Sequence, residues 1–254
     1  MKKATFLTYE KPLLTAMVQE QTPDDAICVI LDSLYEGAEA FGIQLCNLLP
    51  EHRNVETLRK IFSYCEGKPI YITSYRGGNS KGLSDDACVE LLLMGLEAGA
   101  TLCDIMGDLY CREPDQLTFD PVAVEKQKAL IRKIHEMGGE VLISSHTSRY
   151  FTEEEVLHFA RAQAERGADV VKIVTKCNSE DEQMACLQII HRLKNELDRP
   201  FLFLVGGSHT RLVRQVGPLL GCCMYLCVQR YFPVTAKMQP RLFAAKAVRD
   251  SILL

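Results

Sequence analysis

Lys172 stands in the middle of the apolar stretch "ADVVKIVTK" (168–176), with Val170 and Val174 two places to either side. In a β-strand all three side chains point to one face. An ammonium group among valines is costly unless it is paired or gives up its proton. A lysine desolvated in this way has a lowered pKa and can attack a ketone to form an imine. Two plainer readings stand beside this one. The ammonium could snorkel to the strand end, or it could pair with a buried carboxylate such as Asp104.

His146 closes "LISSHTS", the apolar stretch that precedes the lysine strand. An imidazole there could move a proton near a ligand held by the lysine. A lone histidine at a strand end is otherwise an ordinary hydrogen-bonding residue. His52, His135, His158 and His191 fall in helices or loops and read as surface, whereas His209, just past the seventh strand, could line the mouth. Arg76 ends the third strand, and Arg214 lies on the short helix after the seventh. Two guanidinium groups at one mouth would hold a carboxylate; either could equally be solvated.

Placing these side chains together requires a frame. Strand-length apolar runs alternate with helical patterns: 12–18, 42–48, 69–76, 100–106, 140–146, the lysine strand, 200–207 and 222–228. Thr22 followed by Pro23 marks the first helix start, and the pattern Ile27, Ile30, Leu31, Leu34 carries it on. Thr152 with Glu155 forms a capping box for a later helix. Strands that are almost continuously apolar, with helices between and no linker, predict an α/β fold: a (β/α)₈ TIM barrel, one domain over residues 1–254. A doubly wound open sheet is the rival, but "PLLTAMVQEQTPDD" lacks the Gly-rich phosphate turn that follows a first Rossmann strand. In a parallel barrel active sites sit at the C-terminal strand ends, where Lys172, His146 and Arg76 fall.

The 254 residues are 47% hydrophobic and 24% charged, enough for a sizeable core. A net charge of −4 without a long basic run argues against nucleic acid. No run of about 18 apolar residues occurs, so no membrane span is expected, and "MKKATFLTYEKPLL" lacks the apolar stretch of a signal peptide. Eleven cysteines, never spaced as C-x-x-C, read as small hydrophobes in a reducing cytoplasm rather than as disulfides or zinc ligands.

With these residues in place, the chain over roughly residues 12 to 250 resembles the type I, Schiff-base-forming 3-dehydroquinate dehydratases. "GADVVKIVTK" is similar to that family's lysine strand, "LISSHTS" to its histidine strand, and "PIYITSYRGG" to the segment with a substrate-binding arginine. "TRLVRQVGPLLGC" resembles the helix with the second arginine, at Arg214. "PVTAKMQP" resembles the closing Ser-Ala-Pro-Gly-Gln loop, which puts Thr235 at the serine and Gln239 at the glutamine. Asp104 in "CDIM" matches an aspartate near the catalytic histidine. The resemblance implies that Lys172 forms an imine with the substrate ketone and that His146 removes the adjacent proton and helps the hydroxyl leave. No metal or organic cofactor would be needed. It also implies a shikimate-pathway role in the cytoplasm; relatives are often dimers, which makes a homodimer the assembly to test.

The departures are as specific. The family's second strand carries Glu-x-Arg, where this chain reads Gln44-Leu45-Cys46. The family's glutamate four residues beyond the third-strand arginine, which orients the histidine, is Ser80 here. Three functions are therefore weighed: dehydration of 3-dehydroquinate, a Schiff-base lyase or aldolase acting on a different hydroxy-keto acid, and a non-catalytic barrel that binds a small carboxylate. In each the partner is a small hydroxy-keto carboxylate or its like, not nucleic acid or membrane.

Overall fold

The structure is a computed structural model and describes residues 4–77, 79, 81–231 and 237–253. Eight strands alternate with eight α-helices: β1 (Leu13–Val18), α1 (Pro23–Tyr35), β2 (Ala40–Gln44), α2 (Val55–Ser63), β3 (Ile70–Thr73), α3 (Asp85–Glu97), β4 (Leu102–Met106), α4 (Pro121–Glu136), β5 (Glu140–His146), α5 (Glu153–Glu165), β6 (Val170–Lys176), α6 (Glu180–Glu196), β7 (Phe201–Gly206), α7 (Arg211–Leu220), β8 (Met224–Cys227) and α8 (Leu242–Ile252). The strands pair in parallel, in the order β7-β6-β5-β4-β3-β2-β1-β8. This is the expected (β/α)₈ barrel. At the remaining seam the described residues form no β7–β8 ladder. Instead the Cys223 N–H donates to the Phe201 carbonyl at 2.9 Å. The Cys222 thiol donates to the Phe203 carbonyl at 3.6 Å and accepts from its N–H at 3.5 Å.

Polar caps start the helices where the sequence offers them. Thr22, Asn54, Ser84, Asp120, Thr152 and Ser179 each accept a backbone N–H of the first turn, and Thr152 and Glu155 complete the capping box. Several boundaries differ from expectation: the third strand ends at Thr73, so Arg76 lies past it rather than at its end, and the eighth is only Met224–Cys227. The second strand stops at Gln44, and Leu45–Asn47 form a 3-10 turn whose Leu45 and Cys46 are buried. An apolar run signals burial, not extension. Here Arg53 holds the turn by donating to the Cys46 and Leu48 carbonyls at 3.2 and 2.9 Å.

The strand pleat sorts side chains between barrel interior and helix layer. Parallel pairing sets Asp104 opposite Leu142, Ser144 opposite Lys172, and Lys172 opposite Leu202. Met17, Ala40, Tyr71, Leu102, Leu142, Val170, Leu202 and Met224 share one buried cluster with Phe6. Phe6 stacks edge-on against Tyr71 with centroids 6.5 Å apart. Its segment is tied to Glu140, which accepts the Phe6 N–H at 2.9 Å and the Thr5 hydroxyl. A mostly apolar floor beneath the polar side chains is the frame of a site at the C-terminal strand ends.

Candidate active site

A cavity of about 250 Å³ opens at the C-terminal ends of the strands. Lys172, His146, Tyr71, Thr73, Tyr75, Gln44, Lys176, Arg214 and Gln239 are among the residues lining it. Lys172 is 3% exposed. Its three N–H bonds find three acceptors: Asp104 Oδ2 at 2.9 Å, Tyr71 OH at 2.9 Å and Tyr75 OH at 2.7 Å. Both phenols donate in turn to Asp104 Oδ2, Tyr75 at 2.6 Å, while Ser144 donates to Oδ1 at 2.5 Å. A carboxylate with four donors and no solvent is a fixed negative charge beneath the amine.

Burial, which favours the neutral amine, pushes Lys172 below the usual lysine value of 10.5. Asp104 restores part of the drop, and the Arg214 cation adds to it. Burial pulls Asp104 the other way, but the Lys172 charge and the three hydroxyls outweigh it and hold the carboxyl below its usual range. Burial and the charge of Asp104 raise both phenols well above 10, so they stay protonated. The resting pair is an ammonium and a carboxylate, with the ammonium easier to deprotonate than an ordinary lysine.

His146 follows Ser144 on β5, with its ring edge-on to Tyr75 and centroids 5.3 Å apart. Its pKa falls to about 3, first through burial and then through the Lys172 charge, so the imidazole is neutral at physiological pH. Arg214 is buried, and its Nε donates to the Val205 carbonyl at 2.8 Å and to Thr210 Oγ1 at 3.1 Å. Its Nη2 lies 3.4 Å from Met238 Sδ. It has no carboxylate partner among the described residues, and burial lowers its pKa to about 10. A buried, unneutralised guanidinium beside a cavity is a place for an anion. Gln239 adds an orphan acceptor, since its buried Oε1 has no partner among the described residues.

A model of the type I 3-dehydroquinase family matches residues 16–230. The chain belongs to the type I 3-dehydroquinase family. A 3-dehydroquinate dehydratase of Alkaliphilus oremlandii is 28% identical over 96 residues, which is 37% of this chain and 38% of that relative. Two solved structures share the fold. The 3-dehydroquinate dehydratase of Geobacillus kaustophilus has a TM-score of 0.83 at 16% identity, covering 97% of this chain and 93% of its own. The type I enzyme of Clostridium difficile, determined with covalently modified comenic acid, gives 0.81 at 18%, covering 97% and 94%.

Of the positions that the resemblance to type I 3-dehydroquinases singled out, Lys172, His146, Arg214, Gln239 and Gln44 meet at the cavity. Asp104 lies beneath it as the lysine's counter-ion. Arg76 is not brought there. Asp85, in the first turn of α3, accepts from its Nε at 2.6 Å and Nη2 at 2.9 Å, and Asp108, just past β4, accepts from Nη1 at 2.8 Å. Two carboxylates already occupy the fork that was expected to bind one. Ser80 and Thr235 lie outside the described residues. Cys46 is buried away from the cavity, and His209 pairs with Ser208 rather than lining the mouth. Tyr71 and Tyr75 were not anticipated. The alternation Tyr71-x-Thr73-x-Tyr75 is their only trace in the sequence: three polar side chains on the inward face of one strand and its extension.

A larger, shallower hollow of about 490 Å³ lies at the opposite end of the barrel, beside Lys11, Asp198 and Arg199. Those charges are already paired, Lys11 with Asp250 and Arg199 with Asp198, and none of the side chains that surround Lys172 lines it.

Proposed function

We propose that this chain is a 3-dehydroquinate dehydratase that works through an imine on Lys172, with His146 as the general acid and base. The observation that supports it is the amine itself: buried, easily deprotonated, and open on one side to a cavity shared with an imidazole and an unneutralised arginine. Arg214 would bind the substrate carboxylate, and the amides of Gln239 and Gln44 would meet its hydroxyls. The Lys172 ammonium would give a proton to Asp104 as the ketone arrives. The free amine would then attack the carbonyl carbon, and loss of water would leave an iminium over the restored Asp104 carboxylate. The iminium draws electrons from the neighbouring C–H, His146 takes that proton, and its strained imidazolium returns it to the departing hydroxyl.

Arg76 favours a second reading. With its fork held by Asp85 and Asp108, Arg214 and Lys176 are the basic lining residues besides Lys172. A smaller hydroxy-keto acid would need no further cation, which suits a Schiff-base lyase or aldolase. Borohydride reduction in the presence of 3-dehydroquinate separates the two. The expected outcome is one reduced adduct on Lys172, absent in Lys172→Ala, with the ultraviolet absorbance of the conjugated product growing before reductant is added. Capture of another keto acid but not of 3-dehydroquinate would establish the second reading. Failure to capture any keto acid would defeat both and leave a binding barrel.

A further inference from the structure

We infer that Gln116, on the segment between β4 and α4, is the positioning residue that fixes which nitrogen of His146 is free to act on a ligand. Gln116 Oε1 receives two contacts from the same residue: the His146 backbone N–H at 3.2 Å and His146 Nδ1 at 2.9 Å. A backbone N–H can only donate, so the atom it meets must be the amide oxygen and not the amide nitrogen. An amide oxygen can only accept, so Nδ1 must carry the ring proton. Nε2 is left with its lone pair. One side chain thus sets both the tautomer and the ring orientation, and it does so with a neutral group.

The segment is built to hold that oxygen still. Gln116 has a left-handed backbone, φ 52°, which a residue with a side chain adopts only when its surroundings enforce it. Ser145, the neighbour of His146, donates to the Gln116 carbonyl at 2.9 Å. Gly107 lets that carbonyl approach, since a Cβ there would lie 2.6 Å from it. Arg166, on the turn after α5, donates to the Gly107 carbonyl at 3.0 Å and to the Thr118 carbonyl, clamping both ends of the segment. Neutrality matters for the ring. Lys172 and Lys176 from β6 and Arg214 from α7 face His146 with positive charge, while Asp104 from β4 offsets part of it and the Tyr75 phenol is uncharged. A carboxylate in place of the amide would stabilise an imidazolium; an amide leaves it a strong acid, able to give its proton up again.

This inference deepens the proposed function and rests on it for the kinetic readout alone. The test uses ¹⁵N-histidine NMR of the whole chain, with His146 assigned by the signal missing in His146→Gln. In the wild type at neutral pH, Nδ1 should be protonated and Nε2 bare. Gln116→Gly suits a left-handed backbone and so keeps the fold. It should mix the two tautomers and lower kcat on 3-dehydroquinate at least about tenfold, part of the 10²–10⁴ a general base supplies, with KM changed less. Gln116→Glu should keep the tautomer and raise the His146 titration midpoint. A wild-type ring protonated at Nε2, or wild-type tautomer and kcat in Gln116→Gly, would overturn the inference, as would an unmoved midpoint in Gln116→Glu. Absence of turnover in the wild type would defeat the proposed function instead, and the tautomer would still decide this one.

Discussion

The lysine and aspartate at the barrel mouth illustrate how a buried charge is made useful rather than merely tolerated. Asp104 supplies the counter-charge, and two phenols and a serine hydroxyl satisfy it, so the carboxylate needs no water. The pair has one exposed direction, the cavity. Because Asp104 raises the lysine pKa against the burial that lowers it, its removal has a definite sign. In Asp104→Asn the amine should deprotonate at a lower pH, and the pH at which borohydride capture is half-maximal should move down. An unmoved profile would mean that the carboxylate does not govern the amine. Tyr71 and Tyr75 show why such a cluster escapes a linear reading: they come from a different strand than Lys172, and only barrel closure brings their hydroxyls within 2.9 and 2.7 Å of its nitrogen.

At the scale of elements, the local signals were the readable ones. Caps at Thr22 and Thr152 and the apolar strand β5 stand where the sequence put them, because a cap is a contact between residues three apart. β2 did not, because Leu45 and Cys46 are buried in a turn rather than a strand. The β4–α4 segment, "GDLYCREPDQLTFD" (107–120), is a polar insertion with no motif of its own, yet Arg166 organises it from 39 to 59 residues away, through Gln127 Oε1 at 2.9 Å and the Gly107 and Thr118 carbonyls. Burial lowers the Arg166 pKa to about 10. Hydrogen bonds from a charged donor contribute about 1.5–3 kcal/mol each. Arg166→Met should therefore speed amide hydrogen exchange across residues 107–118 and lower kcat, while α1 and α2 exchange as before. Protection retained in that segment would show that the clamp is not what orders it.

Across the whole molecule, a half-buried ion pair joins α8 to the start of the barrel. Arg249 on α8 is 1% exposed; it donates to Glu39 at 2.5 and 2.9 Å and to the Pro12 carbonyl at 2.9 Å. It therefore ties the last helix to the strands that open the barrel. Losing Arg249 leaves Glu39 partly hydrated, so the cost is at most about 3 kcal/mol, the low end for a fully buried pair. Arg249→Met should lower Tm by on the order of 10 °C in a chain of this size. Its kcat at room temperature should be that of the wild type, because the pair lies at the end of the barrel away from Lys172; a large loss of kcat in fully folded protein would show coupling between the two ends. The cysteines belong to the same packing: nine of the eleven are buried thiols, Cys111 is half-buried, and Cys28 alone is exposed. Among the described residues no helix is long and apolar enough to cross a membrane.

What the amino-acid sequence determined by itself was periodic or local: the alternation of strand and helix, the caps, the inward face of the lysine strand, and motifs whose order marks the family. Lys172 and His146 could be found in this way because strand parity and strand ends are properties of short segments. Only the tertiary structure decided which partners those side chains have. Arg76 was claimed by Asp85 and Asp108, Lys172 by two tyrosines and an aspartate, and His146 by an amide from an insertion with no motif. A partner is chosen by distance in space, and in a closed barrel residues tens of positions apart become neighbours for reasons that no single stretch of chain contains.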